Sequence, residues 1–123
     1  MKLMRRWIAP LFALALSGCG ISIPPEKSAY VGVWRGPGLS LAISWEGSVI
    51  YRRVNGDLKT SIHGPLKAFD GDNFVVGIGP LATTFVVSVA PHREGVFWTM
   101  TVDGNRLIKC PEQSWIDCSS WKN

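Results

Sequence analysis

The chain has 123 residues, 13 Lys plus Arg against 9 Asp plus Glu, 46% hydrophobic and 18% charged, a size that holds at most one domain and excludes a large multidomain enzyme. Lys2, Arg5 and Arg6 precede residue 19, and taking those three from the 13 leaves 10 basic groups against 9 acidic ones. Such a body carries no clustered basic stripe of the kind that nucleic acid requires.

Met1 to Arg6 form a short positive region, and Trp7 to Leu16 an apolar stretch. At 1.5 Å per residue that stretch covers roughly 15 Å, about half a bilayer core, so a secretory signal fits and a membrane-spanning helix does not. Leu16-Ser17-Gly18-Cys19 resembles the bacterial lipobox. The resemblance implies that residues 1–18 are a lipoprotein signal peptide, and that Cys19 becomes the first residue and carries a diacylglycerol with fatty acyl chains such as palmitate. Gly20 in place of an Asp implies sorting to the outer membrane, periplasmic side, in a Gram-negative host. One acyl chain anchors only reversibly, whereas two or three hold essentially permanently. Residues 19–29, with the pair Pro24-Pro25 and no usable period, read as an extended tether reaching about 25 to 30 Å in the polyproline form.

From Tyr30 a single β domain is expected to run through residues 30–123. Short runs rich in Val, Ile, Phe, Tyr and Thr alternate with Gly, Asn, Asp and Pro clusters, the signature of an all-β meander, sandwich or barrel. The candidate strands are 30–35, 39–44, 48–54, 58–63, 66–69, 73–78, 83–89, 95–102 and 105–109. Glu46-Gly47, Asn55-Gly56, Asp70-Gly71 and Asp103-Gly104 supply residues that tolerate positive φ at hairpin corners. Beyond Cys19 no stretch has a clean helical period, although residues 112–118 could form one turn.

Side chains two apart share a face of a sheet. The expected core is therefore Leu39, Leu41 and Ile43; Phe74, Val76 and Ile78; Phe85, Val87 and Val89; and Val96, Trp98, Met100 and Val102. Over 48–54 the two parities are equally apolar and the face stays open. If those strands neighbour one another, Val75, Val86 and Phe97 point outward together. They then form an exposed contact surface, unless the tail with Trp115 and Trp121 folds back over them.

Tyr30-Val31-Gly32-Val33-Trp34 resembles the Gly-x-Trp motif on the first strand of lipocalins, where the Trp closes the base of an up-and-down barrel. Gly32 and Trp34 carry the likeness. The expected fold is thus a small antiparallel meander or barrel of about eight strands, lipocalin-like, with a disulfide-pinned C-terminal tail. A barrel that small is nearly filled by its own side chains, so any ligand cavity is shallow.

With Cys19 lipidated, Cys110 and Cys118 are an even pair in an exported chain, and a disulfide between them is expected to pin the tail. His63 and His92 sit at a strand end and in a turn. Neither is accompanied by a nucleophile-elbow pattern, so no catalytic residue is expected. Asp70-Gly71-Asp72-Asn73 alternates oxygen ligands but lacks the distal Glu of a calcium loop; turn chemistry explains it, and no metal or cofactor is expected. Arg52 and Arg53 face opposite ways on one strand, and Lys59 and Lys67 add only a sparse positive surface.

Three function classes remain. The first is a membrane-anchored envelope lipoprotein whose non-catalytic β domain binds an envelope protein or acts as a scaffold. The second is a lipocalin-like carrier of a small apolar ligand, while a lysozyme-inhibitor-type lipoprotein is a sharper form of the first. The third, a hydrolase using His63 or His92, is the least supported. The chain is read as a non-enzyme.

Overall fold

The computed structural model describes residues 20–111. They form nine strands: β1 (Gly32–Gly36), β2 (Leu39–Ile43), β3 (Ser48–Asn55), β4 (Leu58–Asp70), β5 (Asn73–Val76), β6 (Thr83–Phe85), β7 (Val87–Glu94), β8 (Phe97–Val102) and β9 (Asn105–Lys109). All pairings are antiparallel, in the order β6-β5-β4-β3-β2-β1-β9-β8-β7. Each strand therefore lies beside its neighbour in sequence except at the step from β6 to β7, and β9 returns to β1 through Trp34↔Lys109 and Arg35↔Ile108. The result is a nearly closed up-and-down barrel, compatible with a lipocalin-like fold.

Two bends curl the sheet. The 13 residues of β4 pair first with β3 and then, past a register shift between Leu66 and Ala68, with β5. A bulge there bends the strand and lets one strand serve both halves of the wall. β6 and β7 are separated by Val86 alone, with β6 on β5 and β7 on β8. The gap between them is bridged by Asn73, whose Oδ1 accepts the Val87 N–H at 2.8 Å.

The expected strand list changes accordingly. Runs 58–63 and 66–69 are one strand passing through Gly64-Pro65, and run 83–89 breaks at Val86, giving nine strands rather than about eight. The disulfide expected to pin the tail would join Cys110 to Cys118, and Cys118 lies outside the described residues. Among the described residues, the end of β9 is fastened by the Cys110 N–H donating to Val33 O at 2.8 Å. Trp115 and Trp121 also lie outside the described residues, as do Cys19 and the residues 1–18 expected to be a signal peptide.

Alternation fills the barrel as expected at most positions. Trp34, Leu41, Val49, Leu66, Phe74, Val76, Phe85, Met100, Val102 and Leu107 are essentially inaccessible. Along 48–54 the inward parity is that of Val49 and Tyr51. Phe74 stacks on Phe85 with centroids 5.0 Å apart, Tyr51 meets Phe85 edge-on at 5.1 Å, and Tyr30 meets Phe69 edge-on at 5.0 Å. Three expected core residues are exposed for local reasons. Ile78 lies past the end of β5, where Gly77 turns the chain at φ 121°. Val89 follows a register shift on β7, and Val96 sits in the β7–β8 turn.

The extended tether expected over 19–29 is replaced, from Gly20 onward, by chain packed on the barrel. The Ile21 N–H donates to Leu66 O and the Ile23 N–H to Trp45 O, and Ile23 is buried. A 3-10 helix follows over Pro25–Tyr30, opened by Pro25, whose missing N–H costs nothing at a helix start. Its C-cap Val31 returns an N–H to Ser28 O. This helix plugs one end of the barrel, with Tyr30 seated on Phe69 and Phe74.

Candidate functional site

The plugged end is built around Trp34. Its side chain is fully buried, and its indole N–H donates to Tyr30 O at 3.0 Å, tying the first strand to the plug. Gly32 shares its inward face, and a Cβ there would lie 3.3 Å from the Lys109 stem. Glycine at this position leaves the space in which Lys109 lies across the Trp34 ring, with Nζ 5.0 Å from the centroid. The same ammonium lies 5.5 Å from the Trp98 ring. Burial lowers the Lys109 pKa below its usual value, and two indole faces supply the attraction that water would otherwise provide.

Beside this stack lies an open groove of about 590 Å³, lined among others by Val31, Trp45, Phe97, Trp98, Lys109 and Pro111. The β2–β3 turn supplies Trp45, the start of β8 supplies Phe97 and Trp98, and the end of β9 supplies Lys109. The groove lies at the plugged end, outside a barrel interior that the core side chains fill. Among the described residues its walls are largely aromatic and the charged group lining it is the Lys109 ammonium.

Of the residues expected to form a contact surface, Val75 and Val86 lie near one another and Phe97 stands apart. Val75 pairs with Thr84 on β6, and Phe97 pairs with Glu94 at one end of the β7–β8 hairpin. Val86 adjoins Val87, which pairs with Val102 at the other end. At roughly 3.4 Å per residue the length of β8 separates Phe97 from Val86 by about 17 Å. Only Phe97 belongs to the groove.

His63 is exposed on β4 opposite Ile50. His92 stands on the outer face of β7, where Nδ1 meets Ala90 O at 3.0 Å and Nε2 meets Glu94 Oε2 at 2.9 Å. The hydrogen bond to Ala90 and then that to Glu94 raise its pKa. Glu94 also pairs with Arg106, and hydrogen bonds from Arg106 and then His92 lower its pKa. Thr99 Oγ1 lies 3.4 Å from the same His92 nitrogen that Glu94 engages. A nucleophile and an orienting carboxylate would need opposite ring nitrogens.

The Asp70–Asn73 turn is occupied by structural bonds. Gly71 O accepts from Lys27 Nζ at 2.7 Å, Asp72 O accepts from the Tyr30 hydroxyl at 2.8 Å, and the Asp72 carboxylate lies 3.7 Å from Lys27. Among the described residues no group of three His, Cys, Asp or Glu side chains could hold a metal ion, and no helix is long and apolar enough to cross a membrane. Arg53 donates to the Tyr51 hydroxyl at 3.5 Å, while Arg52 faces solvent.

Sequence reasoning passed over Trp45, Lys109 and Val31. Trp45 had a signal: a large aromatic beside the Glu46-Gly47 turn, where packing has no use for it. Lys109 had none, since its place over Trp34 depends on β9 returning to β1. No protein-family model matches the chain, and neither a curated protein nor a solved structure matches it.

Proposed function

We propose that this chain is a lipid-anchored envelope protein whose lipocalin-like barrel binds a small apolar ligand without catalysing a reaction. The observation that carries the reading is the groove at the plugged end. Its volume of about 590 Å³ lies in the range of small-molecule sites, and Trp45, Phe97 and Trp98 offer aromatic walls for an apolar body. The filled interior supports placing the ligand there rather than inside the barrel. Anchoring is supported by the lipobox Leu16-Ser17-Gly18-Cys19, and location on the periplasmic side of the outer membrane by Gly20. Phe97 stands at the other end of β8 from Val86 and so does not share one docking patch with Val75 and Val86, which favours a ligand over an envelope protein partner.

The test is a titration of the full chain with N-phenyl-1-naphthylamine, an uncharged apolar probe whose emission rises on leaving water. Saturable binding is expected, weakened at least tenfold by Trp45→Ala with Phe97→Ser while the far-UV spectrum is unchanged. Absence of saturable binding, or equal binding by the double variant, overturns the groove as the site.

A further inference from the structure

The chain reaches the barrel without a spacer. The Ile21 N–H donates to Leu66 O at 3.1 Å, and the Ile23 N–H donates to Trp45 O at 3.2 Å. A Cβ on Gly20 would fall 2.7 Å from Leu66 O and closer still to Gly47 O, so this backbone is wedged between the β2–β3 turn and β4. Around this docking point large apolar side chains remain in water: Ile21, Trp45 at 56% exposure, Val96 at 79% and Phe97 at 48%. Trp45, Val96 and Phe97 line one groove, and Ile21 lies two residues from Ile23, which is bonded to Trp45. Arg93 donates to Gly95 O, holding a guanidinium beside the turn that carries Val96.

We infer that the plugged end of the barrel is a membrane-facing surface, with Ile21, Trp45, Val96 and Phe97 seated in the headgroup region of a lipid bilayer. The inference rests on acylation of Cys19, from the function proposed above. Cys19 is the residue next to Gly20, and consecutive Cα atoms are 3.8 Å apart. An acylated Cys19 thus leaves no tether between the lipid and this end. Tryptophan and phenylalanine at such a boundary keep their rings in the apolar layer, and Trp keeps its N–H among headgroups. The opposite end, around the β3–β4 turn, also bares Leu58, but the docked segment fixes which end meets the membrane. The groove then opens at the lipid surface, where an apolar ligand is concentrated.

The experiment uses the full chain purified from membranes and reconstituted into phosphatidylcholine vesicles with brominated acyl chains, which quench nearby tryptophan. Mass spectrometry of the same sample reads the acyl group on Cys19. Trp45→Phe is expected to remove most of the quenchable, blue-shifted emission. A tryptophan introduced by Asp57→Trp, in the β3–β4 turn at the far end, should add an unquenched component. Ile21→Glu with Val96→Glu, both at exposed positions, should keep the acyl group yet lose most of the Trp45 quenching. Unquenched Trp45 in a protein that is acylated and sediments with vesicles overturns the membrane-facing surface and leaves the anchor standing. A Cys19 without acyl mass, in protein that stays in the supernatant, overturns the anchoring reading and this surface together.

Discussion

Val86 and Asp103 exchange two hydrogen bonds at the step where the barrel fails to close: the Val86 N–H donates to Asp103 Oδ1 at 2.9 Å, and the Asp103 N–H donates to Val86 O at 2.7 Å. Neither strand ladder reaches Val86, because β6 ends on β5 before it and β7 begins on β8 after it. Val86 is half-exposed, so these bonds compete with water and each contributes the modest net gain of a protein hydrogen bond. Asp103 makes both, and it does so with φ at 49°, a conformation that Asp and Asn tolerate better than other non-glycine residues.

At Val86 the seam therefore depends on Asp103 at one backbone conformation, beside the Asn73 bond to Val87. Asp103→Ala removes the acceptor and adds left-handed strain, with an expected loss of about 1 to 3 kcal/mol. Asp103→Asn keeps both the oxygen and the conformational tolerance, with an expected change within about 0.5 kcal/mol. Chemical denaturation of the two variants checks the contrast, and amide exchange at Val86 should accelerate in the first only. Equal losses in the two variants would assign the effect to charge rather than to the hydrogen bond.

The outer face of β7 to β9 carries the clearest pH response. His92 has its pKa raised by its bonds to Ala90 and Glu94, so its contribution to stability is fully present below the ordinary value of 6.5 and is lost as pH rises through the raised folded value. Glu94 has its pKa lowered by Arg106 and His92. Its contribution is present above the ordinary 4.5 and is lost as pH falls through the lowered folded value. Both side chains are exposed, so the effect on melting is small and the titration itself is the sharper measurement. Ring resonances of His92 should titrate above the ordinary imidazole value, and Glu94→Gln should bring the midpoint down. An unchanged midpoint in the variant would mean that the Glu94 contact does not persist in solution.

The barrel was largely legible because its strands alternate cleanly. Leu39, Leu41 and Ile43 share one parity, as do Phe74 with Val76 and Met100 with Val102, and all are buried. Trp34 was legible as the residue closing one end. The failures fall where alternation stops being local. Val89 keeps the right parity on paper, but a register shift between Val87 and Val89 changes which face it occupies. Thr83 to Val89 reads as one strand, yet the corner at Val86 sends its halves to opposite edges of the sheet. Pro24-Pro25 suggested a free polyproline tether, whereas Pro25 opens a short helix held by Tyr30 contacts made far along the chain, at Phe69, Asp72 and Phe74. The groove was illegible for the same reason. Its walls come from the plug, the β2–β3 turn, β8 and the end of β9, and only the return of β9 to β1 brings them together.

Tyr30 offers the most direct test of the plug. Its hydroxyl donates to Asp72 O at 2.8 Å, and its pKa is pushed up to about 12 by burial and by the charge of Asp72. The neutral phenol is the form that the folded state favours. Its contribution is fully present below the unfolded value of 10.0 and is lost as pH climbs through about 12. Tyr30→Phe keeps the ring contacts with Phe69 and Phe74 but removes the hydroxyl, with an expected loss of about 0.5 to 1.5 kcal/mol near neutral pH. The variant cannot ionise at this position, so its deficit should shrink and then reverse between about pH 10 and pH 12, the window in which only the intact protein loses the phenol contribution. Denaturation curves of both proteins across that window, with phenolate absorbance followed in parallel, decide the matter. A Tyr30 phenol that titrates near its ordinary value, together with a deficit independent of pH, would show that the plug stands open and the ring is in water.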